Sequence, residues 1–305
     1  MNTKTCIIVC GPTAVGKTSY GIELALKHNT QIISADSRQC FKELNIGVAK
    51  PSDEQLKKVH HYFINSHSIR DEMNARVFEE YALKSVNEIF EKNDVAVMVG
   101  GTGLYIKAFM EGLDEIPEID ESIRKKINED YLEKGFDWLH NELKKYDTVF
   151  FEKGEMQNPQ RMLRALEVKL STGKSILEFH SQKKQKRNFE INVCLLELPR
   201  QQLYNNINIR VEQMMESSLL KEAEGLYPYK QLNALQTVGY KELFDYFDGK
   251  ISLEKAIEEI KKNTRHYAKR QMTWFRKMEK EGVQINWIEG PDFEAAKKII
   301  IQKYK

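Results

Sequence analysis

Near its start the chain carries an unbroken apolar run, Cys6-Ile7-Ile8-Val9-Cys10, closed by Gly11-Pro12. Similar runs recur as Ile32-Ile33-Ser34-Ala35 and Val95-Ala96-Val97-Met98-Val99. Short, β-branched segments that are apolar at every position, not at alternate ones, predict strands covered on both faces, as in a parallel sheet. Between them the period lengthens. Residues 20–26 suit a helix, and over 79–92 the side chains of Tyr81, Ala82, Val86, Ile89 and Phe90 share one helical face. This alternation predicts an α/β doubly wound parallel sheet, a fold that binds ligands at the carboxyl ends of its strands. The second strand is expected to lie beside the first.

The pattern then changes. Residues 114–187 are rich in Glu, Lys, Leu and Ile at helical spacing, show no convincing strand, and are interrupted only by Gly135, Gly154 and Gly173. They read as a helical insertion. A further strand candidate, 191–198, ends at Pro199 and rejoins the sheet, and the rest is helical, closing on a basic and aromatic stretch at 264–277. The expected division is 1–113 as the first part of the core, 114–188 as the insertion, and 189–305 as the remaining core with basic C-terminal helices. In that last stretch Arg265, Lys269 and Arg276 form one helical stripe, a candidate track for backbone phosphates. Tyr267, Gln271, Trp274 and Met278 form another, read as core.

Composition narrows the function. With 305 residues, 41% of them hydrophobic, the chain has material for a full core and a second domain. Its net charge of +2, from 47 basic and 45 acidic residues, excludes bulk electrostatic attraction to nucleic acid, so any polyanion site must be a local cluster. No apolar run approaches membrane-spanning length, which predicts a cytoplasmic protein with no membrane partner. Nothing marks a dimer interface, so a monomer is expected. Cys6, Cys10, Cys40 and Cys194 lack metal or disulfide spacing, and His60, His61 and His67 read as hydrogen-bonding loop histidines.

The chemistry begins at Gly11-Pro12-Thr13-Ala14-Val15-Gly16-Lys17-Thr18, which follows a strand and opens a helix in the G-x-x-x-x-G-K-[ST] pattern of a P-loop. Such a loop, commonly a nucleotide or ATP cradle, gathers backbone N–H groups at a helix N-terminus. Lys17 adds charge for terminal phosphates, and Thr18 offers a hydroxyl to Mg²⁺. Asp36 ends the second strand, where a carboxylate holds a metal-bound water, accepts a proton or caps the next helix. After the third strand, Gly100-Gly101-Thr102-Gly103 either lets backbone approach a ligand, with the Thr102 hydroxyl beside it, or makes a tight turn into a helix. In Gln160-Arg161-Met162-Leu163-Arg164 the two arginines share a helical face, suited to phosphate contact or to simple solvation.

These stretches, together with Ile46-Gly47-Val48-Ala49-Lys50-Pro51, His60-His61, Val238-Gly239-Tyr240-Lys241-Glu242 and 264–276, closely resemble the bacterial tRNA dimethylallyltransferases, or isopentenylpyrophosphate transferases. The resemblance spans the chain in the family's order. It implies transfer of a dimethylallyl group from dimethylallyl diphosphate to N6 of adenosine 37 in tRNAs that read codons beginning with U, with Mg²⁺. It assigns the diphosphate to residues 11–18, proton abstraction to Asp36, and completion of the diphosphate grip to Thr102 and Arg210. It assigns the anticodon stem-loop to the insertion, with Asp36, Ser37, Arg38, Gln39 and Gln160 to Arg164 as tRNA contacts. Cys40-Phe41, Val238 and Ser217-Ser218 depart from the family's usual residues. Two alternatives share the loop: a P-loop small-molecule kinase, which needs ATP, and an adenylate isopentenyltransferase, which needs neither the insertion nor the basic C-terminal helix.

Overall fold

The computed structural model describes residues 3–180 and 184–289; residues 181–183 of the expected insertion and 290–305 of the C-terminal segment lie outside the described residues. In chain order β1 (Thr5–Cys10), α1 (Lys17–Lys27), β2 (Ile32–Ala35), α2 (Asp53–Lys58), β3 (His61–Tyr62), α3 (Ala75–Phe90), β4 (Val95–Gly100) and α4 (Gly103–Glu111) come first. The helices α5 (Glu121–Tyr146), α6 (Thr148–Lys153) and α7 (Pro159–Thr172) follow. The chain then runs through β5 (Glu190–Glu197), α8 (Arg200–Glu216), α9 (Leu219–Leu226), α10 (Tyr240–Phe247), α11 (Leu253–Lys280) and β6 (Ile285–Glu289).

All the described strands pair in parallel, in the order β3-β2-β4-β1-β5-β6. Every residue of β1 is buried. The pleat sends Cys6, Ile8 and Cys10 into the core with Phe78, Phe109 and Phe275, and sends Ile7 and Val9 into the opposite one with Leu24, Leu203 and Ala268. Double coverage is therefore why the strand reads as one apolar run. The α3 helix starts a turn before the predicted residue 79, because the Asn74 side chain accepts from the N–H groups of Arg76 and Val77.

Three expectations are corrected. The β2 strand is not beside β1: β4 lies between them, and β2 pairs with β4 and β3. An apolar pattern reports burial and carries no information on strand order. His61 is not in a loop but in the two-residue strand β3. The region after the long basic helix also contains a strand, β6, whose Asn286 side chain donates to Asn192 Oδ1 (2.6 Å) and Val193 O (3.1 Å). Both strands are short and mostly half-buried, so neither produces an apolar run.

The chain packs as two compact units, one made of residues up to Glu111 and from Lys186 onward, the other of Gly112–Gln185. Within the second unit Ile127, Leu139, Leu143, Phe150, Met162 and Leu166 form a core of their own. The α5 helix kinks at Gly135 (φ 75°, ψ −164°), a conformation that suits glycine alone. Asn158 caps α7 and Gly173 ends it with a left-handed residue. All four cysteines are free and buried, as small core residues.

Candidate active site

The P-loop turns sharply between β1 and α1. Gly11 has φ 144°, and a Cβ there would stand 2.6 Å from the Leu196 carbonyl oxygen on β5. Gly16 (φ 100°) precedes α1 and supplies no side-chain cap, so the first N–H groups of that helix are left for a ligand. Ala14, a non-glycine residue at φ 64°, holds the loop in a conformation that costs energy and recurs at functional turns. The Lys17 ammonium donates to the Pro12 carbonyl across the loop (2.6 Å). Loss of hydration, then the Arg210 charge, lowers its pKa to about 8, opposed by Asp36.

Asp36 follows β2. One of its carboxylate oxygens accepts from Arg38 N (2.9 Å) and Gln39 N (3.3 Å), so the residue fastens its own turn. Arg210 comes from α8, and its guanidinium donates to the Thr13 hydroxyl (3.4 Å). Lys17, Thr18, Asp36 and Arg210 line one cavity of about 440 Å³. Two cations, a hydroxyl, a carboxylate and a helix N-terminus in one crevice suit an anionic phosphate chain beside a group that must lose a proton.

The far wall is the segment 46–51. Glu222 on α9 accepts from the N–H groups of Ile46 (2.9 Å) and Gly47 (3.0 Å) and from the Tyr240 hydroxyl (2.6 Å). A Cβ on Gly47 would meet the Tyr240 ring at 2.6 Å, which joins the motifs at 46–51 and 238–242. Gln39 donates to the carbonyls of Val48 (3.3 Å) and Ala49 (3.2 Å). Lys50 donates to Phe41 O (2.6 Å) and to the side chains of Asn45 and Asn65, and burial lowers its pKa to about 8. Lys50 stands in a stretch that carries the family resemblance, whereas Glu222 has no signal in the sequence, because only the fold brings α9 to this segment.

Several residues stand elsewhere than their motifs suggested. The glycines after β4 make room for protein: a Cβ on Gly101 would lie 2.1 Å from Gln271 Nε2, and one on Gly103 2.1 Å from the Trp274 ring. Thr102 Oγ1 accepts from Ser37 N (3.1 Å). The Arg38 guanidinium donates to Asn233 O (3.1 Å). Gln271, expected in the core stripe, is buried yet borders the cavity with Tyr267. On the other stripe Arg265 is engaged by Asn208 and stacks over Tyr204, while Arg276 pairs with Glu197, so neither is a bare phosphate contact. On α7, Gln160 and Arg161 are exposed, with Arg161 paired to Glu155. Met162 and Leu163, expected among the tRNA contacts, are buried in the core of their unit, where helical spacing places them once Arg161 faces outward. Arg164 pairs with the buried Glu167 (3.2 Å).

Fold and cavity define a P-loop protein whose phosphate loop shares its crevice with a carboxylate. The family model for IPP transferase matches residues 39–278, and the chain belongs to that family. It is 50% identical to the tRNA dimethylallyltransferase of Christiangramia forsetii over 93% of this chain and 92% of the relative. It is 41% identical to tRNA dimethylallyltransferase 1 of Bacteroides fragilis over 94% of each. The solved full-length tRNA isopentenylpyrophosphate transferase of Bacillus halodurans superposes with a TM-score of 0.71 and 33% identity over 98% of this chain and 96% of that one. A eukaryotic dimethylallyltransferase described as acting on tRNA superposes with a TM-score of 0.80 and 26% identity over 99% of this chain and 77% of its own. Among the described residues no helix is long and apolar enough to cross a membrane.

Proposed function

We propose that this chain is a tRNA dimethylallyltransferase, a cytoplasmic monomer that prenylates N6 of adenosine 37 in tRNAs reading codons that begin with U. The observation that carries the reading is the convergence of Lys17, Thr18, Arg210 and Asp36 on one cavity. The diphosphate of dimethylallyl diphosphate lies against the P-loop N–H groups, Lys17 and Arg210. As adenine N6 bonds to C1 of the dimethylallyl group, the C1–O bond breaks, diphosphate leaves with the bonding pair, and Asp36 takes the N6 proton. That amine is a weak nucleophile because its lone pair is delocalised into the ring, so positioning and a proton acceptor supply the acceleration. The target base is unpaired in the anticodon loop, which makes its extrusion into a crevice inexpensive. Arg161 on α7 is the exposed cation of the segment expected to meet the anticodon stem.

Mg²⁺ fits these residues. Thr18 lines the cavity at the start of α1, and its hydroxyl is an oxygen donor of the kind a hard cation takes beside waters and substrate oxygens. Bound there, it would neutralise charge on the departing diphosphate.

The test is incubation with dimethylallyl diphosphate, Mg²⁺ and unmodified tRNA without ATP, followed by nucleoside mass spectrometry. N6-(dimethylallyl)adenosine is the expected product. Prenylation of free adenylate alone, or transfer of the ATP γ-phosphate to a metabolite, would replace this reading with one of its rivals.

A further inference from the structure

The inner stripe of α11 reaches the loops that follow two strands, β1 and β4. Gln271 Oε1 accepts from Thr13 N (2.9 Å), and its Nε2 donates to Gly101 O (2.9 Å), so one carboxamide joins the P-loop to the turn after β4. A backbone N–H only donates and a carbonyl only accepts, which fixes the orientation of the amide. Gly101 is followed by Thr102, whose N–H donates to Ala35 O (3.2 Å) and whose hydroxyl oxygen holds the N–H of Ser37, next to Asp36. The β1 and β2 strands are not neighbours, so no ladder hydrogen bond runs directly between the P-loop strand and the Asp36 strand. Strand β4 lies between them, and α11 adds a second link, from the P-loop to the turn after β4, where only glycine at 101 admits the amide. Ala268, Phe275 and Met278 anchor the same helix in the two cores independently of these polar contacts.

We propose that α11 works as a spacer, with Gln271 as a positioning residue that sets the separation between the phosphate loop and Asp36. The chemical terms of this proposal rest on the reading above. The amide occupies the Thr13 N–H itself and so withholds that one group from the diphosphate, leaving the rest of the loop to bind it; its loss should therefore slow the chemical step more than it weakens binding. Misplacement by about 1 Å costs as much as 10²-fold in rate.

Gln271→Met keeps length and shape but neither hydrogen bond. It is expected to lower the single-turnover rate at saturating substrates by roughly 10- to 100-fold, while the Kd values for dimethylallyl diphosphate and tRNA stay within about threefold. Weakened affinity with an unchanged saturated rate, or a loss of activity matched by an equal loss of folded protein, would overturn the proposal. A wild type that does not prenylate tRNA would sink the functional reading instead. In that case hydrogen exchange still decides the spacer: the Thr13 amide should be protected in the wild type and exposed in Gln271→Met, and equal protection in both would refute it.

Discussion

Replacing Asp36 by Asn separates its two capacities. The amide oxygen can still accept from Arg38 N and Gln39 N, which now lie 2.9 Å and 3.3 Å from the carboxylate oxygen, so the turn should survive. What disappears is the proton acceptor and one negative charge. If Asp36 is the base, the single-turnover rate should fall by roughly 10²–10⁴-fold, or about 2.7–5.4 kcal/mol of transition-state stabilisation. A second effect follows from the neighbours. Asp36 supports the charge on Lys17, so without it the lysine pKa should drop further below about 8. Rates are therefore best compared near pH 6.5–7, where Lys17 stays protonated in both proteins and the lost base is seen alone. The assay is a rapid-quench single turnover with labelled dimethylallyl diphosphate and saturating tRNA, repeated across a Mg²⁺ titration. A carboxylate that serves only to hold a metal-bound water would give a defect cured by excess Mg²⁺. Full recovery at high Mg²⁺ would refute the base assignment.

Lys17 binds the diphosphate as a cation, and its lowered pKa means the charge is present below about pH 8 and lost as pH rises through it. Accordingly kcat/KM for the donor should fall above about pH 8, and Lys17→Arg should move that limb upward; a wild-type limb starting near pH 10 would contradict the burial argument. Gly100→Ala would set a Cβ 2.1 Å from the Ala35 carbonyl oxygen inside the sheet, and urea unfolding should show a loss of ~3 kcal/mol or more, whereas Gly225→Ala, with nothing within 4 Å, should stabilise α9 by ~0.5–1 kcal/mol. Arg161→Ala should weaken tRNA binding and reduce the slope of log affinity against log salt by about one contact. Arg164→Ala strips a partner from the buried Glu167, leaving Arg124, and should lower the stability of its own unit in thermal unfolding.

The residues legible in advance are those whose cause is local. The apolar runs of β1, β2, β4 and β5 are visible because both faces of each are covered, and the P-loop because its glycines, lysine and threonine act within one strand-to-helix turn. Cavity residues contributed from afar have no such signature. Tyr267 looks like an ordinary core aromatic, and Gln271 looks like a polar interruption in a core stripe until Thr13 and Gly101 are brought to either side of it. The glycines after β4 signal close approach in the sequence, but only the fold shows that helix α11 is what approaches. The sequence by itself determined the parallel α/β core, the phosphate loop and the acidic residue at a strand end, since burial and helix-terminus geometry act over a few neighbouring residues. Tertiary structure alone decided that β4 separates β2 from β1, that Met162 and Leu163 face inward, and that α11 joins the loops, because strand order and cross-chain contacts depend on residues up to 258 positions apart.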